Sequence, residues 1–249
     1  RLTSITKTVN NVLTEVTNYT YDNNGNQLTT TVDTYTNGKV TATVTATTNT
    51  YDKHNQLIKT VTKEGTVTNN IYNGEGYRVG KEVIGVNKNN KVKTYYLYEA
   101  DKIILEVDEA GNQVARNVYG TNLLMRTVAG ETYSYMYNGH ADVTALIATD
   151  GTIAATYYYD AFGTILESTG DVNNNILYSG YQYDKETGLY YLNARMYDPK
   201  IARFLQEDTY TGKPNDPLSL NLYTYCMNNP LIYTDPTGHR YVKDKESDS

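Results

Sequence analysis

Tyrosine recurs at positions 21, 51, 72, 98, 119, 137, 159 and 183, and after most of these an Asp or Asn opens a tight turn. The clearest copies are Tyr21-Asp22-Asn23-Asn24-Gly25, Tyr51-Asp52-Lys53-His54-Asn55 and Tyr159-Asp160-Ala161-Phe162-Gly163. Looser ones begin at Tyr72-Asn73-Gly74, Tyr137-Asn138-Gly139 and Tyr183-Asp184. Successive copies lie 18 to 30 residues apart, the length of two strands with their turns. Between them run stretches rich in Thr, Val, Ile and Tyr, the residues that suit a pleated, half-buried surface. Tyr19 with Tyr21, Tyr96 with Tyr98, Tyr133 with Tyr135 and Tyr137, and Thr41 with Thr43 and Thr45 each share a face by the period of two. Strand, turn, strand, repeated, predicts an all-β chain of hairpins in one antiparallel array whose core comes from stacking neighbours. The turn acids are read as turn builders: an Asx side chain bonds its own turn backbone, and Gly or Asn accepts positive φ.

Composition narrows the function. The chain has 27 Tyr, 2 Phe and no Trp, so its aromatic core carries hydroxyls that must stay wet or find partners. The net charge of -6, without any Lys or Arg run, offers nucleic acid no electrostatic handle. Cys226 is the one cysteine, and His54, His140 and His239 lie far apart; no disulfide, metal or cofactor is expected. No stretch reaches the apolar length of a membrane helix. Arg1 to Ile5 reads as a strand already under way, which points to a piece of something longer. The first strand is accordingly expected to fray or to pair edge to edge with a second copy.

From about residue 155 the sequence becomes more distinctive. Tyr158-Tyr159-Asp160-Ala161-Phe162-Gly163 is followed by Gly188-Leu189-Tyr190-Tyr191-Leu192-Asn193-Ala194-Arg195-Met196-Tyr197-Asp198-Pro199, then by Arg203-Phe204-Leu205. Asn221-Leu222-Tyr223-Thr224-Tyr225, Asn228-Asn229-Pro230 and Asp235-Pro236-Thr237-Gly238 complete the series. This order resembles the core cassette that ends Rhs/YD-repeat proteins, which include bacterial polymorphic toxins, Gram-positive wall-associated proteins, insecticidal toxin complex C subunits and teneurins. The resemblance divides the chain into a YD-repeat array (1–154), a core or plug cassette (155–239) and a polar tail or the start of a variable region (240–249). It implies a curved sheet forming part of a spiral shell closed by the plug, with little helix. It also implies a secreted or cell-surface bacterial protein whose shell encloses and presents a C-terminal toxin or effector of the same polypeptide. A Tyr-rich surface that binds carbohydrate or protein is an alternative.

In several relatives of the toxin branch the cassette cuts its own chain just past the last Asp-Pro motif, using paired aspartates. Carried onto this sequence, the resemblance marks Asp208 and Asp235 as the carboxylates, Arg195 and Arg203 as the accompanying arginines, and Gly238, His239 and Arg240 as the residues beside the cut. His239 stands where such relatives carry the Leu that precedes the broken bond. The sequence departs from the pattern in lacking Pro after Asp208, and Asp208 and Asp235 lie 27 residues apart. The other reading of these acids is structural: they cap turns and pair with arginine to lock the plug. Ser219 is expected to N-cap the chain's one helical turn, ended by Pro230, with Cys226 buried inside it. Asp216-Pro217 is read as a plain turn.

Overall fold

The computed structural model describes residues 1–243 apart from Lys88, Lys213 and Asp216; the expected turn at Asp216 and most of the polar tail therefore lie outside the described residues. The first seven strands are β1 (Ser4–Val9), β2 (Val12–Tyr21), β3 (Gln27–Thr36), β4 (Lys39–Tyr51), β5 (Leu57–Thr62), β6 (Val67–Tyr72) and β7 (Arg78–Ile84). There follow β8 (Lys91–Glu99), β9 (Lys102–Val107), β10 (Gln113–Tyr119), β11 (Leu123–Val128), β12 (Glu131–Tyr137), β13 (Val143–Ala148), β14 (Ile153–Tyr159) and β15 (Ile165–Thr169). Each pairs with its sequence neighbour, so the fifteen form an open meander with β1 and β15 at its edges. Cross-strand Thr pairs recur: Thr20 with Thr29 at 2.6 Å, Thr127 with Thr132 at 2.8 Å, Thr156 with Thr169 at 2.6 Å.

The tyrosine repeat has a plain geometric meaning. Tyr21, Tyr51, Tyr72, Tyr119, Tyr137 and Tyr159 are the last residues of β2, β4, β6, β10, β12 and β14, and Tyr98 is the last but one of β8. One copy per two strands puts all seven turns on the same rim. In these turns the Asx side chain collects backbone N–H groups two and four residues on: Asp52 accepts from His54 and Gln56, Asp160 from Phe162 and Thr164, each at 2.9 Å. The tyrosine hydroxyl meanwhile donates to a carbonyl near the start of the preceding odd strand. Tyr51 reaches Gln27, Tyr72 Leu57, Tyr98 Arg78, Tyr137 Leu123 and Tyr159 Val143, at 2.6 to 3.0 Å. Five of the repeats are thereby fastened to the one before.

A second sheet of β16 (Gln182–Asp184), β17 (Leu189–Leu192), β18 (Arg195–Asp198) and β19 (Arg203–Phe204), and a small pair of β20 (Tyr233–Thr234) with β21 (Val242–Lys243), build the plug. Its contacts run along the tyrosine rim from end to end. Tyr223 donates to the carbonyl of Gly25 in the first turn, and Gln27 N–H to Leu205. Asp184 grips Arg78 beside the third turn, and Asn175 bonds Glu106 of β9. Ser179 N–H reaches Asp142 in the sixth turn, while Tyr178, Tyr190 and Tyr197 bond the carbonyls of Ala161, Gly163 and Phe162 in the seventh. Fifteen strands laid flat would span roughly 65 Å, whereas a compact unit of the plug's size is about 30 Å across. Touching both ends of the row requires the sheet to curve around the plug.

The apolar cores lie along this seam. Leu57 packs with Leu189, Tyr191, Met196 and Leu205; Leu123, Tyr135, Val143, Leu146 and Ala155 pack with Ile176. The plug's own centre holds Tyr178, Tyr181, Tyr190, Tyr197, Phe204, Tyr225 and Cys226. β15 and most of β14, which fall inside the cassette by sequence, belong to the large sheet. No helix of the described residues is long and apolar enough to cross a membrane.

Two expectations need correction. Ser219 does not cap a helix: it lies inside a short 3-10 turn (Pro217–Leu220), and the residues after it are drawn out against β19, where Phe204 N–H donates to Tyr223 and Arg203 bridges Thr224. Two further 3-10 turns occur, Tyr178–Gly180 and Cys226–Asn228, the latter built on left-handed backbone. Nor is the first strand frayed. β1 pairs with β2 along its whole length, and Arg1 forms an ion pair with Glu207 at 3.1 Å.

Candidate functional site

The residues singled out at the end of the cassette come together around one arginine. Arg195 opens β18 and alternation turns it to the same side as Tyr197, over the ring of Phe204 from β19 (3.7 Å from the guanidinium carbon to the ring centre). Its Nε–H donates to the carbonyl of Gly238, one terminal nitrogen donates to the Leu222 carbonyl at 3.0 Å, and the other meets Asp208 at 2.7 Å and Asp235 at 3.7 Å. Every arm of the fork is occupied. Burial lowers the guanidinium's pKa, with both carboxylates opposing the shift.

The two aspartates sit in different settings. Asp208 accepts from the N–H of Tyr210 at 2.9 Å and from His239 Nδ1 at 3.1 Å, in addition to Arg195. Asp235 is 3% exposed; its N–H donates to the hydroxyl of Tyr181, and its carboxylate accepts from the N–H of Arg240 at 3.1 Å. Burial raises the Asp235 carboxyl above the ordinary carboxylate value; Arg195 opposes the rise and Asp208 adds to it. Gly238 has φ 72°, and a Cβ there would run into the carbonyl oxygen of Leu192, so only glycine fits. A cavity of about 40 Å³ opens beside Arg195, Asp208, Asp235 and His239, enough for a water molecule or two.

The structure therefore gathers Arg195, Asp208, Asp235, Gly238, His239 and Arg240. It leaves Arg203 out: that side chain bonds its neighbour's carbonyl at Ala202 and Asn228 Oδ1, each at 2.7 Å. The register explains the difference. Tyr197 faces Phe204 and Asp198 faces Arg203 across β18 and β19, so Arg195 and Arg203 stand on opposite faces, a parity readable in the spacing. Tyr181 and Leu222, which complete the site, carried no such signal.

The geometry holds two acids, one charge-neutralising arginine, a fixed carbonyl and room for water. That set can serve as a structural lock, and it is also the donor set of an aspartyl-type hydrolytic centre.

Residues 118–231 match the family model described as Teneurin YD-shell. The tRNA3(Ser)-specific nuclease WapA of Bacillus spizizenii is 37% identical over 94% of this chain, which corresponds to 10% of that protein. The toxin subunit YenC1 of Yersinia entomophaga is 28% identical over 67% of this chain and 19% of its own length. Among solved structures, a TcdB2-TccC3-Cdc42 complex superposes with TM-score 0.66 at 19% identity, covering 92% of this chain and 14% of the other. A Photorhabdus luminescens Tc holotoxin pore gives TM-score 0.63 at 18% identity, over 94% and 14%. The chain thus spans about a tenth of the Bacillus relative's length.

Proposed function

Because this chain belongs to the Rhs/YD-shell proteins, we propose that it is the plugged end of a larger secreted or surface-displayed bacterial shell that encloses and presents a C-terminal effector of the same polypeptide. The observation that carries this reading is the continuous seam between plug and rim, from Gly25 in the first turn to Phe162 in the seventh. A sheet that needed no closed end would have no use for turns at both ends of its rim fastened to one cassette. The test uses the full-length protein. Residues beyond Ser249 should resist added protease while the plug is docked, and a variant that undocks it, Asp184→Ala, should expose them. Equal digestion of both proteins would overturn the reading.

The gathered acids support a second reading, in which the plug cuts its own chain once beside His239, with Asp208 and Asp235 as acid and base and Arg195 steadying the developing charge. The support is specific: the buried guanidinium touches both carboxylates and the Gly238 carbonyl together.

The sheet edge supports a proposal about the isolated 249-residue chain. β1 is exposed throughout and presents Ile5 and Val9 with an unpaired outer edge, which is a template for another strand. Sedimentation is expected to show concentration-dependent self-association that Ile5→Lys weakens. A monomer at all concentrations would rule it out.

A further inference from the structure

We propose that the segment directly after Lys243 lies in a cleft between the plug and the fourth and fifth rim turns, and that this cleft is the passage by which the chain leaves the plug toward its effector. The step rests on the reading of the plug as the closed end of an effector-bearing shell, and adds the route the chain takes there.

The seam is not uniform. The first, third, sixth and seventh turns are tied to the plug by the contacts described above. At the fourth and fifth turns the two surfaces part and leave a cleft of about 670 Å³, the size of a binding pocket and far larger than a packing defect. The fifth repeat is also where the pattern of tyrosine bonds breaks. The other six rim tyrosines each donate to a carbonyl of the preceding repeat, Tyr21 to Leu2 at 2.8 Å among them. Gln27 and Leu57 accept from an Asn and a Tyr together, whereas the matching Ile103 carbonyl takes Asn117 Nδ2 at 2.7 Å and not Tyr119. Tyr119 lines the cleft instead, with the Lys102 ammonium 5.3 Å from its ring centre. Lys102 Nζ donates to the carbonyls of Gly120 at 3.1 Å and Thr121 at 3.4 Å, which straps the fourth turn to the fifth.

The opposite wall identifies the occupant. β21 is the last described strand, and both its residues, Val242 and Lys243, line the cleft. Pairing of Thr234 with Val242 and of Tyr233 with Lys243 fixes the chain's course along that wall. Asp244-Lys245-Glu246-Ser247-Asp248-Ser249 follows, with three acids against one lysine. The cleft offers this polar, acidic segment Lys102, Thr121 and Asn122 on the rim side. Six residues fully extended reach about 20 Å, roughly twice the edge of a cube of the cleft's volume, so the segment is long enough to cross it.

The test uses the full-length protein with paired cysteines, Asn122→Cys with Lys245→Cys, beside a control on the second turn of the same rim, Lys53→Cys with Lys245→Cys. Asn122 and Lys53 are both exposed, and urea midpoints matching the wild type confirm that the variants fold. Under mild oxidation the Asn122 pair should link roughly tenfold faster than the Lys53 pair, because a segment held in the cleft raises the local thiol concentration there. The linked peptides are identified by mass after trypsin digestion, which sets Cys226 apart. Equal rates for the two pairs, or no link to Asn122, overturns the proposal. The protease test of the shell is separate. A link at Asn122 with the residues beyond Ser249 digested overturns enclosure and leaves the segment's place standing; protection without the link overturns the passage and leaves enclosure standing. The same peptide map reads the bond beside His239, where an uncut peptide in every sample overturns the self-cleavage reading.

Discussion

Replacing Asp184 with alanine should cost about 3–5 kcal/mol of stability and release the plug from the rim. Asp184 binds Arg78 in a two-pronged contact, with Oδ1 at 3.0 Å, and also takes Lys81 at 2.8 Å; Arg78 is fully buried and further held by Gln182 and Asn70. Removing the acid strands a cation with no access to water, and that uncompensated charge supplies most of the loss. Replacing the set together, as Arg78→Met, Lys81→Met and Asp184→Leu, should therefore recover much of what the single change loses. Urea unfolding of the three proteins checks this; a single-variant loss below about 1 kcal/mol would show the pair to be ornamental. The same contact sets an acid limit. Burial pushes the Asp184 carboxyl up, but Arg78 and Lys81 outweigh it and hold its pKa at about 2, below the ordinary carboxylate range. A carboxyl lowered on folding contributes stability above its unfolded pKa and loses it as pH falls. The plug should accordingly loosen between about pH 4 and pH 2, and the slope should vanish in the triple variant.

How far this was legible from sequence depends on the range of each interaction. The two-strand period, the common rim and the turn chemistry are local and follow from Tyr and Asx spacing. The gathering of Asp208, Asp235 and Arg195 was implied by the family resemblance of the cassette, not by any local pattern of the residues. The Arg78–Asp184 contact, across 106 residues, left no trace, because an arginine on a β-strand looks the same whether it faces solvent or a distant acid. The Ser219 helix failed for a related reason: a capping residue and a terminating proline were present, but pairing of Tyr223 and Thr224 with β19 supplied backbone partners that a helical turn would have had to forgo. Arg203 was misjudged by treating two arginines of one motif as equivalent, although the odd and even positions of adjacent strands place them on opposite faces.

Tyr197→Ala is expected to cost about 3–5 kcal/mol, and the comparison with Tyr197→Phe explains why the chain uses 27 tyrosines and 2 phenylalanines. Tyr197 is fully buried, with its ring 4.4 Å from that of Tyr225 and 5.7 Å from Phe204, and its hydroxyl donates to the Phe162 carbonyl at 2.8 Å. Truncation to alanine opens a cavity at the centre of the plug and severs one of its ties to the seventh turn. Tyr197→Phe keeps the ring and removes only the donor, leaving a carbonyl in the seam without this partner, so about 1–2 kcal/mol should be lost. The same logic holds for Tyr178 and Tyr190, whose hydroxyls meet Ala161 and Gly163. A seam between a sheet's turns and a plug is crowded with backbone carbonyls that the strand ladder does not use. Phenylalanine would fill the space and leave them unpaired; tyrosine fills it and binds them. If Tyr197→Phe proved as stable as wild type in urea, the hydroxyls would be incidental and the tyrosine repeat would need another cause. If it matched the alanine variant, the seam would depend on its hydrogen bonds more than on its packing.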